Sequence, residues 1–440
     1  MTPSPAEVRW PCSPRQELAR LRSAVPTPAA ELTHDEVVAL YRRHIGTGRA
    51  ALGAMLGAIL EARSDGPWVC AADGRRYLDF GGYGVFILGH RHPAVVAAVH
   101  RQLDAHPLAT RVFLEPVVAR AAAALAGTMP ADLRYVHFVN SGAEATEAGL
   151  KLARVHGHTA LVTTWRGFHG KTLGALSVTA NPLYQDPFAP LLPDVTQVAY
   201  GDLDAMRAAL EPLGRRACVI VEPVQGEGGV VLPPPGYLRG VAELCAGQGA
   251  FLIVDEIQTG MGRLGTWWGV EVDGVVPDVL LVGKGLSGGV VPVAAMVARP
   301  GAYGPFSRDP YLHSSTFAGS PLACAAALAT IEAMHAEGTV ARAATLGARI
   351  LAGVRAACAP YGRLIAEVRG RGLLIGVECR GQGYVGELVL ELIERGVLVN
   401  HSLNASGVLR LTPPAVLDDE HVDRFLTAFD GALAAVAART

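Results

Sequence analysis

Val279-Leu280-Leu281-Val282-Gly283-Lys284-Gly285-Leu286-Ser287-Gly288-Gly289 is the stretch whose reading decides the fold. Its first four residues are all apolar, with none of the alternation of a half-exposed strand, which predicts a strand buried on both faces. Glycines then flank a single lysine in a tight turn at the strand end. A lysine there is poorly placed for a solvated surface role and well placed for close approach by a ligand. Desolvation lowers its pKa and makes it competent to bond covalently to a carbonyl. Lys151 and Lys171 are the only other lysines in the chain, so chance placement explains Lys284 weakly.

The same kind of run recurs on either side. Residues 135–139, 161–164, 218–221 and 251–254 are short and largely apolar, and they alternate with helical patterns from about residue 93 to 320. That order predicts a large α/β domain built on a mainly parallel sheet with helix crossovers. Beyond about residue 335 the pattern changes to a helix, a hairpin around Arg369-Gly370-Arg371-Gly372, another helix, short strands near Val397 and Leu409, and a final Ala-rich helix. This reads as a smaller α+β lobe. Upstream, Thr33-His34-Asp35-Glu36 has the pattern of a capping box and is expected to open one helix running roughly to Arg63. Residues 68–80 read as two strands joined at Asp73-Gly74, with Gly81, Gly82, Gly84 and Gly89 following. The expected division is an N-terminal arm over 1–32, a segment over 33–90 that completes the small domain, the large domain over 91–335 and the C-terminal small domain over 336–440.

Composition narrows the class of ligand. Of the 440 residues 50% are hydrophobic and 18% charged, ample for a deep core. A net charge of −2 argues against nucleic acid or an anionic membrane as partner, since both demand a concentrated excess of Lys and Arg. Small molecules are expected instead. The seven cysteines, Cys12, Cys70, Cys218, Cys245, Cys324, Cys358 and Cys379, form no CxxC pair and no zinc-spaced cluster with histidine. Scattered thiols and the lack of an apolar run of signal-peptide or membrane length lead to the expectation of a cytoplasmic protein with no bound metal.

Ligands of open parallel sheets sit beyond the carboxyl ends of the strands, so the residues after each run come first. Asn140-Ser141-Gly142-Ala143-Glu144 follows 135–139 and leads into a helical pattern. A helix N-terminus after a Gly-containing turn suits a phosphate. The same residues also read as an ordinary cap, with Ser141 and Glu144 as a capping box. Asp255-Glu256-Ile257-Gln258 follows 251–254. A carboxylate at the end of an apolar strand is costly to bury unless a cation meets it, and a protonated pyridine nitrogen or one of the arginines can be that cation.

Several runs together resemble the class III aminotransferases: Asn140-Ser141-Gly142-Ala143-Glu144-Ala145, Phe168-His169-Gly170-Lys171-Thr172, Glu222-Pro223-Val224-Gln225-Gly226-Glu227-Gly228-Gly229, Asp255-Glu256-Ile257-Gln258-Thr259-Gly260-Met261-Gly262-Arg263, Lys284 in its glycine turn, and Ser315-Thr316-Phe317. The likeness extends from Trp68 into the C-terminal helix. Within the class the chain is most similar to putrescine aminotransferases, through residues 168–177, 233–237 and 322–330. The resemblance implies the fold type I of enzymes dependent on pyridoxal 5′-phosphate (PLP). It implies that Lys284 bonds to the cofactor and shuttles the proton, and that Asp255 pairs with the pyridinium. Gln258 is then expected on the phenolic oxygen, and Ser141, Gly142 and Ala143 on the phosphate. Phe168 is expected on the ring with His169 close by, and Glu222 joins the cofactor-binding set. Thr316 is expected to reach the phosphate of a neighbouring subunit, which implies a homodimer or a dimer of dimers. One departure is Ala318-Gly319-Ser320-Pro321 where the family often has Gly-Gly-Asn-Pro.

Related enzymes also bind a substrate carboxylate with a C-terminal arginine that a glutamate can neutralise, positions matched by Arg410 and Glu227. Each also reads as an ordinary structural group, a loop carboxylate or an ion-paired arginine. Lys171 stands where several ω-amino acid aminotransferases have arginine, and a point-charge ammonium binds a carboxylate less specifically than a planar guanidinium. A diamine donor fits that difference better than an ω-amino acid. Tyr83 is expected at the pocket entrance or as a packed aromatic. The activity expected is transfer of a terminal amino group between a diamine or ω-amino compound and a 2-oxo acid or biosynthetic aldehyde or ketone. An aminomutase, a decarboxylating aminotransferase and a PLP-binding partner without turnover are the alternatives, the last opposed by the intact set of Lys284, Asp255 and Gln258.

Overall fold

The computed structural model describes residues 32–439, so Cys12 and, apart from Leu32, the expected N-terminal arm lie outside the described residues. The chain divides into two compact units, one running to Ala62 and including Cys70–Arg75, the other comprising Arg63–Val69 and Arg76 onward.

In the first unit the capping box at Thr33 forms, with Glu36 Oε2 accepting from the Thr33 N–H at 2.7 Å. The single helix expected from there to Arg63 does not. A helix over His34–Leu40 passes into a π-helical turn over Tyr41–Ile45, breaks at Gly46 (φ 153°) and resumes over Thr47–Met55. Gly46 lies in backbone space that favours glycine, and the His34–Leu40 helix buries no residue, so no packing holds the helix through the break. Residues Glu61–Asp65, read as the helix end, form strand β1. Strand β2 (Trp68–Ala71) runs into the first unit and β3 (Arg76–Asp79) lies in the second, with the turn at Asp73-Gly74 between them in sequence as expected. There Gly74 has φ 87°, and the Asp73 carboxylate accepts the Arg75 N–H at 3.0 Å.

The second unit holds the sheet that carries the site. Strands β4 (Tyr135–Val139), β5 (Ala160–Thr164), β6 (Val195–Val198), β7 (Ala217–Val221), β8 (Phe251–Asp255), β9 (Val279–Val282) and β10 (Ala294–Ala298) form seven strands in the order β4-β10-β9-β8-β7-β5-β6. The core strands β9, β8, β7, β5 and β6 are parallel, and β10 runs antiparallel between β9 and β4. The lack of alternation in the apolar runs has a direct cause. In β7, Ala217, Val219 and Val221 enter one buried cluster while Cys218 and Ile220 enter another on the opposite face. Both faces are covered, so both sets of side chains must be apolar.

The C-terminal part follows its expected order. Helices over Pro321–Ala336 and Thr339–Cys358 lead to the hairpin β11 (Ile365–Arg371) and β12 (Leu374–Cys379), which turns at Gly372. A helix over Gln382–Glu394, short strands β13 (Val397–Leu398) and β14 (Asn400–Ser402), β15 (Ala405–Leu411) and a last helix over Asp419–Ala437 complete the chain. Strand β13 pairs in parallel with β3, Val397 opposite Leu78. No helix among the described residues is long and apolar enough to cross a membrane.

Candidate active site

The carboxyl ends of β4, β7, β8 and β9 supply one constellation. After β4, Ser141 caps the helix Gly142–Val155, its hydroxyl accepting the Glu144 N–H at 3.3 Å. Glu144 reaches back to the Asn140 N–H at 2.8 Å rather than to that of Ser141, so the expected box is displaced by one residue. The first N–H groups of the helix, on Gly142 and Ala143, have no intrahelical acceptor. A Cβ at Gly142 would stand 2.8 Å from the Ile257 side chain, so a glycine lets this helix end close on the turn after β8.

Lys284 follows β9 with φ 41°, a left-handed conformation that is uncommon for a residue with a side chain. Burial depresses its pKa, and the nearby Arg410 acts in the same direction against Glu227, Asp255 and Glu222. Asp255 ends β8 and is 3% exposed. Its Oδ1 accepts the Ile257 N–H at 3.0 Å, and its Oδ2 lies 2.7 Å from His169 Nδ1. The backbone of His169 is pinned on both sides, its N–H donating to Thr179 Oγ1 at 2.9 Å and its carbonyl accepting from the Thr146 hydroxyl at 2.8 Å. Glu222, after β7, accepts the N–H groups of Phe168 at 3.0 Å and Gly226 at 3.2 Å. Burial raises its pKa to about 7, with His169 opposing and Asp255 adding to the rise.

Gly142, Ala143, Phe168, His169, Glu222, Asp255, Gln258 and Lys284, with Gly170 and Ile257, line one cavity of about 220 Å³. Its polar groups fit PLP. Gln258 Nε2 is buried without a hydrogen-bond partner among the described residues, a donor available to a phenolate oxygen. His169 Nε2 is likewise unpartnered. Asp255 uses one acceptor position on each oxygen and keeps others for a ring N–H. The Gly142 and Ala143 N–H groups are suited to phosphate oxygens.

Six expected site residues lie outside that lining. Ser141 serves as the helix cap. Arg410 and Glu227, 0% and 4% exposed, form a buried ion pair, and Glu227 Oε2 also accepts the Leu403 N–H at 2.9 Å. The Arg410 Nε and Nη2 have no hydrogen-bond partner among the described residues. Lys171 is exposed, with its ammonium 3.8 Å from the centre of the Tyr184 ring. Tyr83 is 54% exposed and does not pack as a buried aromatic. Its neighbour Gly84, marked in the sequence only as one of a run of glycines, lies beside Lys284 Cδ and Gln258 Nε2, each 3.7 Å from the position of a Cβ. Thr316 is exposed and does not line the cavity. Thr146 and Thr179 were also missed, because their part is to bond the backbone of a distant residue and no local pattern reports that.

Residues 52–433 match the family model for aminotransferase class III. A putrescine aminotransferase of Pectobacterium atrosepticum is 41% identical over 409 residues, covering 89% of this chain and 87% of that protein. The ornithine aminotransferase of Toxoplasma gondii superposes with a TM-score of 0.85 at 31% identity, covering 97% of this chain and 100% of that one. A PLP-bound amine transaminase from an uncultivated Pseudomonas species gives a TM-score of 0.79 at 30% identity, over 86% of this chain and 95% of its own.

Proposed function

The chain belongs to the class III aminotransferases, PLP-dependent enzymes of fold type I, and on that premise we propose that its amino donor is a diamine or related ω-amino compound and its acceptor a 2-oxo acid, or a biosynthetic aldehyde or ketone. PLP supplies, when bound, an aldehyde that bonds to amines and a ring that withdraws electrons from the reacting carbon. In this reading Lys284 Nζ, its pKa lowered by burial, would be the attachment point and the base that moves the substrate proton. Asp255, oriented by His169, would hold the proton on the ring nitrogen. Gln258 would donate to the phenolic oxygen, Phe168 would cover the ring, Glu222 braces the Phe168 and Gly226 backbone, and Ser141, Gly142 and Ala143 would receive the phosphate.

The observation that carries the substrate assignment is the buried Glu227–Arg410 pair. A donor without a carboxylate meets a guanidinium already neutralised by Glu227. A 2-oxo acid replaces Glu227 on Arg410 with its own carboxylate, so one pocket serves both half-reactions. The similarity to a putrescine aminotransferase supports the diamine, as does a lysine rather than an arginine at 171. Holoenzyme incubated with putrescine, cadaverine, ornithine or 4-aminobutyrate, each against 2-oxoglutarate and pyruvate, tests this. One glutamate or alanine formed per diamine consumed is expected, and turnover of ornithine with none of either diamine would overturn the assignment.

A homodimer completes the site in this reading, with Thr316 of a second copy reaching the phosphate. Its support is the exposure of Thr316 together with exposed apolar Val112, Phe113, Leu114 and Phe317. These segments adjoin, since Arg111 donates to the carbonyls of Ser315 and Ala318. We assign residues 91–335 to the PLP-binding domain, 336–440 with part of 33–90 to the small domain, and the enzyme to the cytoplasm.

A further inference from the structure

Between β3 and the helix that starts at Pro93 runs a segment to which none of these roles assigns a residue other than Tyr83. Asp79 and His90 bracket it, both buried, with Asp79 Oδ2 2.8 Å from His90 Nε2. The other oxygen, Oδ1, accepts two successive loop N–H groups, those of Gly81 and Gly82, each at 2.8 Å. One carboxylate thus fixes both ends of the segment.

What lies between is clasped on three sides. The Phe86 ring stacks on the His90 ring, centroids 3.7 Å apart, and fills the space where a Cβ of Gly82 or of Gly289 would stand 2.4 Å from its carbons. Gly289 belongs to the glycine turn that carries Lys284. On another side, the Thr412 N–H donates to the Phe80 carbonyl at 2.7 Å and the Ala415 N–H to the Ile87 carbonyl at 2.8 Å, so the strap is tied to the chain just past Arg410. On the third, buried Arg263 donates from Nη2 to the Gly84 carbonyl at 3.2 Å and from Nη1 to the Leu373 and Pro413 carbonyls. All three are neutral acceptors. Asp79 is the carboxylate that offsets the Arg263 charge.

The loop so held is an unfavourable one. Tyr83 (φ 52°) and Gly84 (φ 75°) are consecutive left-handed residues, a strained conformation that a tyrosine keeps only where its surroundings impose it. Its result is that Gly84 lies against Lys284 and Gln258.

We propose that Asp79 is a positioning residue: clamped by His90 and set against Arg263, its carboxylate holds the Gly81–Gly84 loop on Lys284 and keeps water from the amine. This rests on Lys284 being the cofactor-bearing lysine. The charged groups that face Lys284 are Glu227, Arg410, Asp255 and Glu222; Asp79 is not among them, and its charge acts on Arg263, which Arg410 also faces.

Because the chain has three lysines, and Lys151 and Lys171 are exposed, reductive methylation of cofactor-free full-length protein across pH, read by peptide mass spectrometry, reports Lys284 with two internal controls. In the wild type the Lys284 midpoint is expected below those of the other two. Asp79→Asn and His90→Leu should move it towards them by about one pH unit, a tenfold change in free amine. His90→Gln, which keeps an N–H for Asp79, should stay near the wild type. Folded Asp79→Asn and His90→Leu proteins with the wild-type midpoint would overturn the proposal, as would a wild-type Lys284 that titrates with the controls. Hydrogen exchange on unsubstituted protein decides the case if both variants fail to fold: slow Gly81 and Gly82 amides support it, and exchange as fast as that of exposed loop amides sinks it. An error in the cofactor assignment shows separately, as borohydride fixing PLP to Lys151 or Lys171.

Discussion

Glu222 is buried beside Asp255, and burial raises its pKa from an ordinary 4.5 to about 7. A carboxyl group that holds its proton more tightly folded than unfolded favours folding below the unfolded value, and that contribution is lost as pH rises through the folded one. The window is therefore about pH 4.5 to 7. Removing the charge with Glu222→Gln should leave cofactor-free protein little changed below pH 4.5 and progressively more stable than the wild type as pH rises from 4.5 to 7, levelling off above that at on the order of 3 kcal/mol. Thermal melting of both proteins across that range checks it, and a difference independent of pH would show that Glu222 does not ionise there. Arg410 makes a different demand, because it is charged, fully buried and, among the described residues, paired only with Glu227. Arg410→Ala should weaken use of 2-oxo acids by about 100-fold, the scale of a buried charge pair, and use of diamines much less. Steady-state kcat/KM for each half-reaction separates the two, and equal losses would remove Arg410 from carboxylate recognition. Lys284 was legible from its glycines and from the scarcity of lysine. Pairing of Arg410 with Glu227 was not readable from spacing, since 183 residues separate them, from 410 to 227.

At the scale of elements, the chemistry sits in turns whose shape depends on missing side chains. A Cβ at Gly226 would come within 2.1 Å of Gln258 Oε1, the end of a side chain that can swing away. Gly226→Ala should therefore keep the fold but displace the Gln258 amide, weakening PLP binding about tenfold, the scale of a hydrogen bond, and shifting its visible absorbance. Spectroscopic titration with PLP, beside an unchanged melting temperature without it, is the check. Strands β7, β8 and β9 were readable because both faces are buried and every residue is apolar or ends the run. Two were not. Strand β6, Val-Thr-Gln-Val, lies at the sheet edge and mixes polar with apolar residues, and β10, Ala-Ala-Met-Val-Ala, is rich in a residue that favours helices in isolation. The reverse error came at Thr33, where a real capping box announced a helix start, but the signal carries no information about where a helix ends.

For the molecule as a whole, the exposed apolar residues around 112–114 and 317 form a patch that a single chain leaves uncovered, Phe113 being 81% exposed. Light scattering after size exclusion is expected to give a dimer or a dimer of dimers. Phe113→Asp with Phe317→Asp should shift it to monomer and abolish activity, because Thr316 then reaches no second site. A stable, fully active monomer would contradict the shared site.

By itself the sequence determined the fold class and the chemical core of the site. Buried parallel strands must be apolar on both faces, and lysine, carboxylate and glycine at their ends are local signals. Only the tertiary structure decided what stands against what: that His169 meets Asp255, that Glu227 neutralises Arg410, and that Asp79 reaches His90 while its loop lies on Lys284. Those contacts join residues from 11 positions apart, Asp79 and His90, to 200, Gly84 and Lys284. Their geometry is set by how strands and loops pack in space, which no neighbouring residue in the chain encodes.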